Sequence, residues 1–305
     1  MPAPPSDPSE EAVNSLGVFA GIVAVSAWGL AGVVAKDIDM GGVAIGTYRF
    51  AIYGIIVGAL MSLRGSPITG RVMRESMWGG IALAADVALF FSAIKLTSIA
   101  NATVISAMQP VGVGLIAWRV FGERIRRRDI IFGLVALAGV VVAVLASADG
   151  ADNSLDGDLL AVAAVVAWAL YFVFSKQAKG KLTSNEYTVG AAIWVGVINV
   201  PIALAFGQSL AWPSSHSWIR LLALAFGAGV LGHSMMNWSI QQIPLWLGST
   251  LTLFIPVVSA AAAWYFLDEP LTAVQISAMA VVLLALAGVI TGQAGIGSRP
   301  RPLRR

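Results

Sequence analysis

The chain has 305 residues, of which 58% are hydrophobic and 11% charged, and its mean hydropathy is +0.82. Soluble domains carry about 25% charged residues, so a water-soluble globule is excluded. Two His and no Cys leave no disulfide, no thiol nucleophile and no Cys-ligated or all-His metal site. The formal charge of +3 sits in short basic clusters between apolar runs, a pattern that reports membrane orientation and not nucleic acid.

Residues 1–13 hold four Pro and the carboxylates Asp7, Glu10 and Glu11 without a base. They lack the basic start of a cleavable signal peptide, and a disordered, retained cytoplasmic tail is expected. Ten apolar runs then follow, at 14–35, 42–62, 77–97, 101–121, 129–147, 157–178, 186–206, 218–240, 246–267 and 272–291. Each has the length of a spanning helix, about 20 residues, and none alternates as a barrel strand does. The fold class is therefore all-α and polytopic. A basic tail, 292–305, closes the chain.

Alternate loops differ sharply in charge. One set carries fifteen bases: Arg64, Arg71, Arg74, Arg119, Arg124, Arg126, Arg127, Arg128, Lys176, Lys179, Lys181, Arg299, Arg301, Arg304 and Arg305. The other carries Lys36, Lys95 and Arg220, with Arg49 inside helix 2. The positive-inside rule then puts both termini in the cytoplasm.

The chain also repeats itself. Ala24, Val25, Ala27, Trp28, Leu30, Val33 and Lys36 recur as Ala164, Val165, Ala167, Trp168, Leu170, Val173 and Lys176. Ile94, Pro110, Val111, Ala117, Trp118 and Glu123 recur as Ile240, Pro256, Val257, Ala263, Trp264 and Glu269. The two units are expected at 14–147 and 148–291. An odd number of helices per unit makes the second cross the bilayer in the opposite sense. Such inverted repeats are a construction of secondary transporters, in which two halves open alternately around one central cavity.

These residues resemble the drug/metabolite transporter superfamily, in particular its ten-helix EamA-type members. The resemblance rests on Ala27-Trp28-Gly29 followed by Lys36, on Arg49-Phe50-Ala51 opening helix 2, and on Pro110 to Trp118 to Gly122-Glu123. The last stretch has a second copy from Pro256 to Asp268-Glu269-Pro270. Within the superfamily the sequence looks most like YddG-type exporters of aromatic and other amino acids. The resemblance implies ten helices around a central cavity, a small-molecule substrate, no cofactor and residence in the inner membrane. It also implies export; symmetric halves alone do not set a direction.

Ionisable groups inside a bilayer are functional candidates by default. Asp86 lies mid-helix in Ala84-Ala85-Asp86-Val87-Ala88, and His233, Asn237 and Gln241 are spaced to share one helix face. They line a cavity or only bond neighbouring helices together. Asp86 and His233 break the repeat, since Asp86 maps onto Gly232; they are the candidates for proton coupling. Trp28 and Trp168 lie about two-thirds of the way along oppositely directed helices, so one is expected toward each face, as a gate, a stacking surface or packing. Trp78, Trp212 and Trp218 read as interfacial anchors.

Pro110 and Pro256 are expected mid-helix, each freeing the carbonyl four residues earlier as a substrate acceptor or making only a kink. Asn101 and Gln109 would add amide contacts. Arg49 either meets a substrate carboxylate or snorkels to the interface. Lys36 and Lys176 mark interfaces or seal gates by pairing with a carboxylate, while Glu123 and Glu269 pair with nearby bases or cap loops.

The Gly227 to Gly232 stretch matches a dinucleotide-binding pattern but lies inside a span with no strand before it, and no phosphate-binding loop exists for ATP. The favoured reading is a secondary exporter of amino acids, aromatic and neutral ones among them. Its alternatives are an exporter of another metabolite or drug and a passive channel. An intramembrane enzyme finds no nucleophile with a base.

Overall fold

A computed structural model describes residues 14–36, 38–97, 99–146 and 154–297. The expected tail at 1–13 and the last eight residues lie outside this set, as do the side chains of Lys36 and Asn101. Ten helices are long and apolar enough to cross a membrane. They are α1 (Ser15–Lys36), α2 (Gly42–Leu63), α3 (Gly70–Leu96), α4 in two pieces (Ile99–Ser106 and Gln109–Phe121) and α5 (Arg127–Leu145). The second five are α6 (Leu155–Gln177), α7 (Ser184–Ala205), α8 (Ser215–Gln242), α9 (Leu245–Leu267) and α10 (Ala273–Gly297).

Several starts are set by side chains that accept the free amides of a first turn. Thr69 accepts from Val72, Ser154 from Gly157 and Ser214 from Ser217, and Thr183 forms a reciprocal box with Glu186. The Thr69 cap starts α3 seven residues before the hydropathy run at 77. Its first turns, Gly-Arg-Val-Met-Arg-Glu-Ser, are too polar to register as membrane but are helical and paired, Glu75 with Lys181 and Arg74.

The repeat is visible in how α4 and α9 end. Gly122 (φ 66°) and Asp268 (φ 54°) both take the left-handed conformation, and the amides of Glu123 and Glu269 both donate to the carbonyl six residues earlier, Ala117 and Ala263. Asp is one of the few residues with a side chain that tolerates this backbone. Packing follows the same two-fold logic. α1 crosses to lie on α8 and α9, α6 lies on α3 and α4, α2 faces α7, and α5 faces α10.

Both prolines behave differently from the mid-helix expectation. α4 stops at Ser106 and restarts at Gln109, and a 3-10 turn at Thr252–Phe254 interrupts α9, so Pro110 and Pro256 sit in the first turn of a new helical piece. There a missing N–H costs nothing. α8 carries a π-helical stretch, Ala225–Ser234, covering the glycines of the rejected dinucleotide pattern. Such bulges are common at functional sites, and this one contains His233.

Candidate functional site

An aromatic cluster fills the centre of the bundle. Trp28 on α1 meets Trp168 on α6 edge-on, with centroids 5.1 Å apart, and each also contacts the His233 ring of α8, at 5.1 and 6.2 Å. Phe50 on α2 lies 5.1 Å from His233, and Tyr171, one turn past Trp168, lies 6.0 Å from it. The two matched Trp are therefore not separated toward opposite faces. Side chains on a helix lean toward its N-terminus, so two indoles beyond the middle of opposed helices both lean back to the midplane and meet.

The Trp28 indole donates to the Ala228 carbonyl at 3.2 Å, inside the π stretch. Gly232 makes room for it: a Cβ there would sit 2.3 Å from Trp28 Nε1. The Trp168 indole N–H is buried and has no hydrogen-bond partner among the described residues. Tyr53, one turn after Arg49, hydrogen-bonds Ser234 at 2.6 Å and pins α2 to α8.

Two opposite charges border this cluster. Arg49 on α2 and Asp86 on α3 are both half-buried. The Arg49 guanidinium carbon lies 4.7 Å from the Phe50 ring centroid. Arg49 acts electrostatically on Asp86 and His233, and Asp86 on Tyr171. Among the described residues neither side chain makes a hydrogen bond or an ion pair.

One end of the bundle is tightly sealed. Below His233, Asn237 is completely buried; its amide donates to the Tyr171 hydroxyl at 2.7 Å and Thr188 Oγ1 at 2.8 Å, and its oxygen accepts from Ser175 at 2.8 Å. Gln241 accepts from Ser184 at 3.0 Å. The polar stripe of α8 thus binds α6 and α7, the bonding role open to it in the sequence. Beyond it, Lys176 at the end of α6 pairs with Glu123 and also donates to the Ile243 carbonyl at 3.2 Å. Glu123 further accepts from the first amides of α9, Leu245 at 2.9 Å and Trp246 at 3.2 Å. A carboxylate at a helix N-terminus gains from the free amides and the dipole. One latch therefore joins the end of α4, from the first half, to α6, α8 and α9 of the second.

The other end is looser. In α9 every residue from 249 to 253 is buried, whereas the matching residues of α4, Thr103 to Ala107, are partly exposed; Met108, 49% exposed, matches the partly exposed Phe254. Likewise α3 runs along α7, while its counterpart α8 touches α2 far less. Gln109 lies at the α4 break, partly exposed.

The EamA-like transporter family matches the chain twice, at residues 15–145 and 155–291. The chain belongs to this family. It is a multi-pass membrane protein of the drug/metabolite transporter superfamily, a resident of the inner membrane in bacteria. Relatives within reach include a probable amino-acid metabolite efflux pump of Salmonella typhimurium, 28% identical over 177 residues, 55% of this chain and 59% of that protein. The aromatic amino acid exporter YddG of Ancylobacter novellus is 30% identical over 154 residues, 50% of this chain and 52% of that protein. The threonine/homoserine exporter RhtA of Escherichia coli is 27% identical over 211 residues, 68% of each. The chain thus spans between about half and three fifths of the first two. A solved crystal structure superposes with a TM-score of 0.79 over 91% of this chain and 98% of the other at 22% identity, which establishes a shared fold.

Proposed function

We propose that the protein exports amino acids, aromatic and other neutral ones among them, by alternating access, and that the conformation described here is the one open away from the cytoplasm. The observation that carries this reading is the contrast between the ends: the central cluster lies behind a sealed latch on one side, while on the other the first piece of α4 is partly exposed from Thr103 to Ala107 where its counterpart in α9 is buried. The latch lies at the end bearing Arg71, Lys176, Lys179 and Lys181, which the positive-inside count assigns to the cytoplasm. Relatives that export aromatic amino acids, threonine and homoserine support the substrate class.

On this reading Trp28, Trp168 and His233 hold a substrate side chain, and Gln109 lies at the break of α4 on the open side. Asn237 anchors the closed end. Asp86 and His233 are the groups through which a proton would couple. The test is counterflow: proteoliposomes preloaded with unlabelled phenylalanine are followed for transient accumulation of labelled phenylalanine, with threonine and other amino acids as competitors. Saturable accumulation supports a carrier of this class. Entry that never overshoots equilibrium is the signature of a channel and overturns it. An imposed pH gradient that raises accumulation in the parent and not in Asp86→Asn assigns proton coupling.

A further inference from the structure

Two charged groups of opposite sign inside a membrane, neither with a hydrogen bond or an ion pair among the described residues, demand a reason. An isolated ion in low dielectric is costly, and the obvious remedy, a direct Arg–Asp pair, is not taken. The helix register shows how near they lie. Gly42 abuts Phe91 and Gly46 abuts Val87, where added Cβ atoms would come within 2.1 and 2.8 Å of those side chains. The antiparallel helices α2 and α3 are therefore aligned so that Asp86 is level with residue 47. Arg49 lies two residues further along, about 3 Å along the axis at 1.5 Å per residue. The two groups sit at nearly the same depth on adjacent helices, both partly exposed, with Arg49 over the Phe50 ring of the aromatic cluster.

From this juxtaposition we infer that Arg49 and Asp86 form a receptor for the zwitterionic head of a free α-amino acid, Arg49 taking the α-carboxylate and Asp86 the α-ammonium. The substrate supplies each of them with a hydrogen-bonded counter-charge at once. Its side chain then extends from the same α-carbon toward Phe50, His233, Trp28 and Trp168, a wall of rings that accepts aromatic and aliphatic groups alike. Guanidinium geometry suits two parallel hydrogen bonds to a carboxylate, and the Arg49 guanidinium carbon lies over the Phe50 ring. Asp86 has no counterpart in the second half, where Gly232 takes its place. The head group is thus read by the first half, and the side chain by both halves through Trp28 and Trp168.

This inference rests on the amino-acid reading above, and its test separates the two. Binding of labelled phenylalanine to purified protein is competed with phenylalanine, phenylalaninamide, which lacks the carboxylate, and N-acetylphenylalanine, which lacks the ammonium. In the parent each blocked analogue should compete at least about tenfold more weakly, as expected when a charge-assisted hydrogen bond is lost. Arg49→Gln should lose the penalty against the amide and keep that against the N-acetyl compound, and Asp86→Asn should do the reverse. Analogues as potent as phenylalanine in the parent, or variants that keep the parental ranking, overturn the zwitterion receptor while leaving amino-acid transport standing. No binding or counterflow of phenylalanine, threonine or any other amino acid overturns both. Should a neutral variant fail to fold, the analogue ranking in the parent decides, with Arg49→Lys and Asp86→Glu as charge-retaining comparisons.

Discussion

Replacing Glu123 by Gln leaves the size of the latch unchanged and removes its charge. The carboxylate now accepts from Lys176 and from the amides of Leu245 and Trp246; a glutamine side chain in its place offers one oxygen and points an NH2 group at the remaining donors. Losing a charged partner while leaving buried donors unmet costs about 2 kcal/mol. The upper range of about 3–5 kcal/mol applies to fully buried pairs, and here the Lys176 and Glu123 side chains retain 18% and 10% exposure. If the latch exists only while the cytoplasmic end is closed, the whole cost falls on that state, and about 2 kcal/mol shifts the population by about thirtyfold. The chain has no Cys, so a single thiol reports without background. Ser249→Cys, in the fully buried first half of α9, should label with a membrane-impermeant maleimide from the cytoplasmic side about thirtyfold faster in the Glu123→Gln background. An unchanged rate together with a lowered melting temperature would show that the pair is present in every conformation, and the latch reading would fail.

Three further outcomes follow from the same geometry. Thr103→Cys, at the position matching Ser249, should label fast from the outer side, and an equal rate at both positions from their respective sides would contradict the described asymmetry. Asn237→Leu strands Ser175 and removes two donations, to Tyr171 and Thr188; a loss of about 1–3 kcal/mol should appear as a lower melting temperature in detergent, and an unaltered melt would deny the network its role. Gly232→Ala forces the Trp28 indole off the Ala228 carbonyl, at a cost of about 1–3 kcal/mol for overpacking. Phenylalanine counterflow should fall in that variant, and full activity would mean the indole can yield without consequence.

Sequence periodicity reaches the helices and their pairing because both depend on patterns about 20 residues long. It misses α3 before Trp78 and the last turns of α10, where polar or small residues are helical for local reasons, a Thr69 cap in one case. The broken α4 and α9 were legible only as prolines. Whether Pro bends a helix or starts a new piece depends on turns at Ala107–Met108 and Thr252–Phe254 that no spacing encodes. At the site, Asp86 and His233 stood out because charge in a membrane is rare. Arg49 did too, but its partners lie on other helices, and a lone base near a span end reads equally well as an interfacial anchor. Tyr171 and Tyr53 carried no signal, since a buried Tyr in an apolar run resembles core until its hydroxyl is seen bonding to Asn237 or Ser234.

The contrast between Thr103 and Ser249 bears on mechanism because the two occupy matching positions in repeated units. Two matching five-helix units in an inverted arrangement would, in matching conformations, place both positions in the same surroundings and leave the central cluster equally shut from both sides. Here residues 249 to 253 are buried while Thr103 to Ala107 are partly exposed, so the two halves differ in conformation. Neither arrangement is foreign to either half, because each half's chain supplies the template for the other's. The difference in free energy between the two openings then comes from the residues that do not repeat. Arg49, Asp86 and His233 are among these, and in the function proposed above they are residues that a substrate touches. A substrate that satisfies Arg49 and Asp86 together can therefore bias an otherwise nearly balanced pair of states, since a ligand shifts an equilibrium only by binding its two states unequally.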